Sequence, residues 1–127
     1  MPTSFLELER SGGENGDPLV TRLNGKLSLE TVHDFIATMR PETANVLILD
    51  MSRCTFLDSA GVGALVSLFV SRRNHSKKLI LAGLTSQGQA VMQVSGLMKL
   101  LPLYPLVEDA VAAAAKQRDS ADSQPSA

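Results

Sequence analysis

Two short runs, "NVLILDM" (45–51) and "KKLILAG" (77–83), constrain this chain more than any other feature. Their apolar residues are consecutive, not alternating, and the runs are too short to be free-standing helices. Such runs mark strands buried on both faces, as in parallel sheets with helices packed above and below. The stretch between them is too long for a hairpin loop and predicts a helix from Asp58 to about Arg73. Strand, helix and strand in that order imply a right-handed crossover and a parallel pair.

The rest of the chain fits around this unit. "SFLELER" and "PLVTRLNGKL" flank "SGGENGD" (11–17), whose residues tolerate the backbone angles of tight turns, so an N-terminal hairpin is predicted. Ser28 is placed as the N-cap of the next helix, with Leu29, Val32, Phe35, Ile36 and Met39 on one face and Pro41 at its end. "TSQGQAVMQVSG" predicts a helix capped by Thr85 or Ser86 and stopped by Gly96. "LPLY" supplies a last short strand, and "VEDAVAAAAKQR" a closing helix. The class is α/β: one mixed, mostly parallel sheet of about five strands with about four helices. Residues 1–118 form one domain, and the polar "DSADSQPSA" (119–127) is expected to be a disordered tail.

Composition narrows the function classes. A net charge of −1 offers no electrostatic case for nucleic acid or an anionic membrane surface as partner. The longest apolar run, 62–70, falls well short of the roughly 20 residues that cross a bilayer. The N-terminus shows no basic segment followed by an apolar one, and the lone Cys54 excludes an intramolecular disulfide. A cytoplasmic location follows as the expectation, with Cys54 a small semi-buried residue in a loop. His33 and His75 lie far apart without ligand-type neighbours, so neither a metal nor a cofactor is expected. No phosphate-binding loop and no nucleophile elbow is present, which argues against an enzyme. Asp50 and the later Thr85-Ser86 share the outline of a receiver domain. Glu7 and Glu9 are not an adjacent acidic pair, however, and "LPLYPLV" holds no lysine. Asp50 is therefore read as a polar strand end, and the basic "SRRNHSKK" (71–78) as a solvated helix end.

The stretch "CTFLDSAGVGALVSLF" (54–69) is a helix start of an unusual kind. Asp58 is a favoured N-cap whose charge suits the helix dipole. Leu57 and Val62 then occupy the positions of a hydrophobic staple. Ser59, Ala60 and Gly61 make a first turn without bulk, which leaves its amides open to close approach. Ser59 is either a plain exposed first-turn residue or a hydroxyl presented to a partner or phosphate donor. Helix-start physics leaves both open.

The longer segment "VLILDMSRCTFLDSAGVGALVSLF" resembles the signature of the STAS domain family. It resembles in particular the bacterial anti-sigma factor antagonists, whose motif reads roughly D-S-[ST]-G-[LV]-G. Segment 23–32 resembles the family's strand-turn-helix entry, 77–104 its later strand and helix, and 106–114 its closing helix, so the resemblance spans roughly residues 4–117. It implies that Ser59 is a phosphoacceptor and that Asp58, Ser59, Ala60, Gly61, Val62, Gly63 and Ser28 bind a partner. That partner is an anti-sigma factor serine kinase, bound by the unphosphorylated antagonist and released by phosphorylation, with a serine phosphatase reversing the step. A monomer or weak dimer is implied. Two positions depart from the family pattern: Ala60 replaces the second hydroxyl residue, and Ser28 stands where an aspartate is common. The alternative is a non-switching STAS scaffold or accessory subunit, for example of a lipid-transport ATPase.

Overall fold

Along "VLILD", Leu47 and Leu49 belong to one buried cluster and Ile48 to another, so this strand lies in the middle of two cores. The computed structural model describes residues 5–123. In chain order its elements are β1 (Leu6–Gly12), β2 (Leu19–Leu27), α1 (Val32–Met39), β3 (Val46–Asp50), β4 (Cys54–Leu57), α2 (Ser59–Asn74), β5 (Lys78–Ala82), α3 (Ser86–Val94), β6 (Leu103–Tyr104) and α4 (Val107–Ser123). The sheet runs β1-β2-β3-β5-β6, with β4 also paired to β2. Only the β1–β2 hairpin is antiparallel; β2–β3, β3–β5, β5–β6 and β2–β4 are parallel.

One sheet face carries the larger core, in which Leu23, Leu27, Leu47 and Leu49 meet Phe35 and Met39 of α1, Leu65 and Leu68 of α2 and Met92 of α3. Among the described residues the other face is covered by α4, which sets Ala110 and Ala114 over Ile48, Ile80 and Ala82. Alanines on that helix face let the backbone settle close to the strands. The α/β class and the mixed, mostly parallel sheet agree with the sequence reading.

Four details differ from it. Residues 54–57 are not a loop: Cys54–Leu57 is a strand that extends the sheet beyond β3 by pairing with Gly25–Leu27, and Cys54 is buried at 3% exposure. Ser28 is not an N-cap, because α1 begins at Val32 with Thr31 before it. Ser28 instead closes a turn: its carbonyl accepts from the N–H groups of Thr31 and Val32 (both 2.9 Å), and its own N–H donates to Thr31 Oγ1 (3.0 Å). Leu29, placed by spacing on the helix face, is therefore on the turn and 74% exposed. The hairpin strand β1 continues to Gly12, inside the segment read as turn, and Asn15 and Gly16 supply the positive φ of the reversal. Finally, α4 is helical to Ser123, within the polar C-terminal segment; residues 124–127 lie outside the described residues.

Asp50 anchors a charge ladder that crosses three strands in register, Glu9↔Arg22↔Asp50. Arg22 Nε donates to Asp50 Oδ2 at 3.1 Å, and Arg22 Nη1 lies 3.8 Å from Glu9 Oε2. Ser52 donates twice to Asp50 Oδ1, from Oγ at 2.7 Å and from its backbone N–H at 3.0 Å. Burial works to raise the Asp50 pKa, but the Ser52 and Arg22 hydrogen bonds together hold it below the ordinary value of 3.8. A lowered folded-state pKa gives stability that is present above the unfolded value and lost as pH falls through the folded one. Asp50→Asn is expected to cost about 1–2 kcal/mol at pH 7, with the deficit shrinking below roughly pH 4. Urea unfolding of both proteins across that range measures it; a deficit that stays constant with pH would contradict the ladder's role.

The basic segment 71–78 is only partly solvated. Arg72, in the last turn of α2, is 4% exposed, and its guanidinium is shared by three backbone carbonyls. Nε donates to Lys78 O at 2.8 Å, Nη1 to Glu42 O at 3.3 Å, and Nη2 to Ala44 O. Lys77 Nζ donates to Thr43 O at 2.9 Å. These bonds tie the end of α2 to the α1–β3 connection and the start of β5. Arg72→Met is expected to lower the unfolding free energy by about 2–4 kcal/mol, because it removes three bonds to part-buried carbonyls at once. Arg72→Lys recovers less than half, since an ammonium cannot reproduce the planar fork. Chemical denaturation of the two variants decides this.

Candidate functional site

The turn from β4 into α2 is built by one carboxylate with two duties. Asp58 is extended (φ −108°, ψ −176°) and its Oδ1 accepts from Gly61 N–H at 2.8 Å, the N-cap bond read from the sequence. Its Oδ2 accepts from Leu29 N–H at 3.1 Å, which fixes the β2–α1 turn to the helix start. Leu57 and Val62, the staple positions, are both buried in the larger core. A Cβ at Gly61 would lie 2.2 Å from Leu27 O and 2.7 Å from Leu57 Cδ1, so the first turn rests directly on the backbone at the end of β2. A Cβ at Gly63 would meet nothing within 4 Å. One glycine is required by the fold; the other leaves open space on the outer side.

A third support comes from α3. Leu57 N–H donates to Gln87 Oε1 at 2.9 Å, and Gln87 Nε2 donates to Leu57 O at 2.7 Å. Helix α3 is itself capped by Thr85, whose Oγ1 accepts from Gly88 N–H at 3.1 Å. Sequence reasoning missed both Gln87 and the Leu29 tether. They join residues about thirty positions apart, and no local spacing signals either.

The structure thus gathers Asp58, Ser59, Ala60, Gly61, Val62 and Gly63 on one elbow, with Ser28 and Leu29 beside it. Ser59 and Gly63 are exposed, Asp58 and Ala60 half-buried, and Gly61, Val62 and Ser28 buried. The outward surface of the elbow is formed by Ser59, the open side of Gly63 and the exposed Leu29. A phosphate at Ser59 would sit at the positive end of a sixteen-residue helix, next to the Asp58 carboxylate.

A cleft of about 580 Å³ opens on the α4 side, lined by Glu9, Arg22, Asp50, Ser52 and Leu106 among others. Glu9, Arg22 and Asp50 of the ladder are bonded to one another there, Arg10 is paired with Glu42, and Glu108 lies at the same rim. Among the described residues, no group of three or more His, Cys, Asp or Glu could hold a metal ion, and no helix is long and apolar enough to cross a membrane.

Residues 10–110 match the family model of the STAS domain. The chain belongs to the STAS domain family. Among solved structures, an anti-sigma factor antagonist from Mycobacterium paratuberculosis superposes with a TM-score of 0.75 at 20% identity, over 89% of this chain and 97% of that one. The anti-sigma factor antagonist SpoIIAA in its unphosphorylated form gives 0.68 at 23% identity, over 84% and 93%. A sulfate transporter family protein from Wolinella succinogenes gives 0.73 at 20% identity, over 86% and 93%. At these identities the likeness is one of fold. The proteins that share this fold include anti-sigma factor antagonists and a sulfate transporter family protein.

Proposed function

We propose that the protein is an anti-sigma factor antagonist, a cytoplasmic binding module and not an enzyme, switched by phosphorylation of Ser59. The carrying observation is the exposed Ser59 at the first position of α2, directly after its Asp58 cap and one helical turn before the open face of Gly63. A serine kinase partner transfers the γ-phosphoryl group of ATP to Ser59 Oγ. The Oγ–P bond forms, ADP leaves with the bridging oxygen, and the hydroxyl proton passes to a base on the kinase. A serine phosphatase returns the hydroxyl by hydrolysis to inorganic phosphate. The unmodified form binds the kinase; the modified form is released.

Incubation with candidate serine kinases and ATP, followed by mass spectrometry, tests this reading. One phosphate on Ser59, abolished in Ser59→Ala, is the expected result. Modification elsewhere, or none with any serine kinase of the same genome, overturns it. That second outcome favours a non-switching STAS subunit or domain attached to a transporter, a reading kept by the likeness to the sulfate transporter family protein.

A further inference from the structure

Strand β4 is four residues long and pairs with β2 along one side. Within a strand, the N–H and C=O of one residue point to the same side. At Leu57 both point away from β2, where a further strand would otherwise continue the sheet. Gln87 fills that place. Its carboxamide is planar, carries a donor beside an acceptor, and meets both groups of Leu57 at 2.9 and 2.7 Å. The pair of bonds also fixes the orientation of the amide, since only one assignment satisfies both.

We propose that Gln87 is a positioning residue for the Ser59 hydroxyl, an inference that rests on the reading of Ser59 given above. Leu57 immediately precedes the Asp58 cap, so whatever fixes the Leu57 peptide planes fixes the direction in which α2 starts. The first turn of α3 lies directly against Leu57: a Cβ at Gly88 would be 3.1 Å from Leu84 Cδ2 and 3.9 Å from Leu57 Cδ2. Packing alone would be served by an apolar residue at 87. The carboxamide adds directional control over a backbone segment whose polar groups would otherwise be half-buried and unpaired. Together with the Asp58–Leu29 bond it grips the elbow from both flanks, leaving the Ser59 side chain as the part that faces outward. A phosphoacceptor must reach the transferring phosphorus in line, and a displacement of about 1 Å can cost up to a hundredfold in rate.

Gln87→Leu removes both bonds, and Gln87→Glu keeps an acceptor for Leu57 N–H while setting a carboxylate against the Leu57 carbonyl. The two variants are compared with wild type by amide hydrogen exchange and by steady-state phosphorylation with the kinase that modifies wild type. Exchange at the Leu57, Gly61 and Val62 amides is expected to rise about tenfold, with Leu47, Leu49, Leu79 and Leu81 unchanged. In the kinase assay kcat is expected to fall about tenfold with KM within about twofold, the signature of a misplaced acceptor. Unchanged exchange at 57–62, or an unchanged kcat, overturns the proposal; faster exchange throughout β3 and β5 overturns it too, by showing a general structural role. Should Gln87→Leu fail to fold, Gln87→Glu carries the comparison at the Gly61 and Val62 amides and in kcat, since it keeps an acceptor for Leu57 N–H. If wild type is not modified at Ser59, the functional reading fails by itself, and the exchange arm still decides whether Gln87 holds the elbow.

Discussion

Once phosphorylated at Ser59, the protein is expected to bind its kinase partner about a thousandfold more weakly while keeping its fold. The unmodified elbow is small and neutral except for Asp58, whose two carboxylate oxygens are already occupied by Gly61 and Leu29 N–H groups. A partner can close over it, and over the open side of Gly63, without stranding a charge. The phosphate brings nearly two negative charges next to that carboxylate. Burying such a group unpaired costs several kcal/mol, and about 4 kcal/mol corresponds to a factor of a thousand. Nothing comparable acts on the fold, because Ser59 is exposed and stands outside the hydrogen bonds that hold the turn. Titration calorimetry with the two forms measures the affinity ratio. Amide chemical shifts are expected to change at 58–65 and at the Leu29 amide, which shares Asp58. Shift changes across β3 and β5, or a ratio below about tenfold, would sink an interface-only switch.

What could be read from the sequence was what is decided locally. The strands β3 and β5 announce themselves because both of their faces are buried, and the Asp58 cap because capping involves only the next three residues. Other features are decided by neighbours distant in sequence. Strand β4 has two exposed central residues and exists by pairing with β2, so its four residues carry no pattern of their own. Ser28 has every local property of an N-cap, yet the end of β2 buries it and the 28–31 turn claims its backbone before α1 begins. That shift puts Leu29 on the elbow instead of on a helix face. Arg72 sits among basic residues that suggest solvent, while three carbonyls from other segments draw it inside. Gln87 is an unremarkable helix residue until the fold carries it to Leu57. The motif at the site could be found in the sequence; the supports that aim it could not.

The two motif glycines are expected to respond to alanine in opposite ways. Neither has a positive φ, so backbone strain is not at issue and the methyl group alone decides. In Gly61→Ala that methyl would be 2.2 Å from the Leu27 carbonyl oxygen, a backbone atom held within the β2–β4 pairing. The helix start or the end of β2 has to move, and a loss of about 3 kcal/mol is expected in chemical denaturation. In Gly63→Ala the methyl enters empty space within an exposed helical turn. The gain in helix propensity is about 0.5–1 kcal/mol, which raises Tm by a few degrees. Under the proposed function this same methyl occupies the surface offered to the partner, and affinity for the serine kinase is expected to drop about tenfold or more, at roughly 1.4 kcal/mol per decade. A variant that folds better and binds worse separates the interface from the fold without touching Ser59. If Gly63→Ala binds as wild type does, the open side of α2 is not where the partner sits, and the contact must be sought toward Leu29 instead.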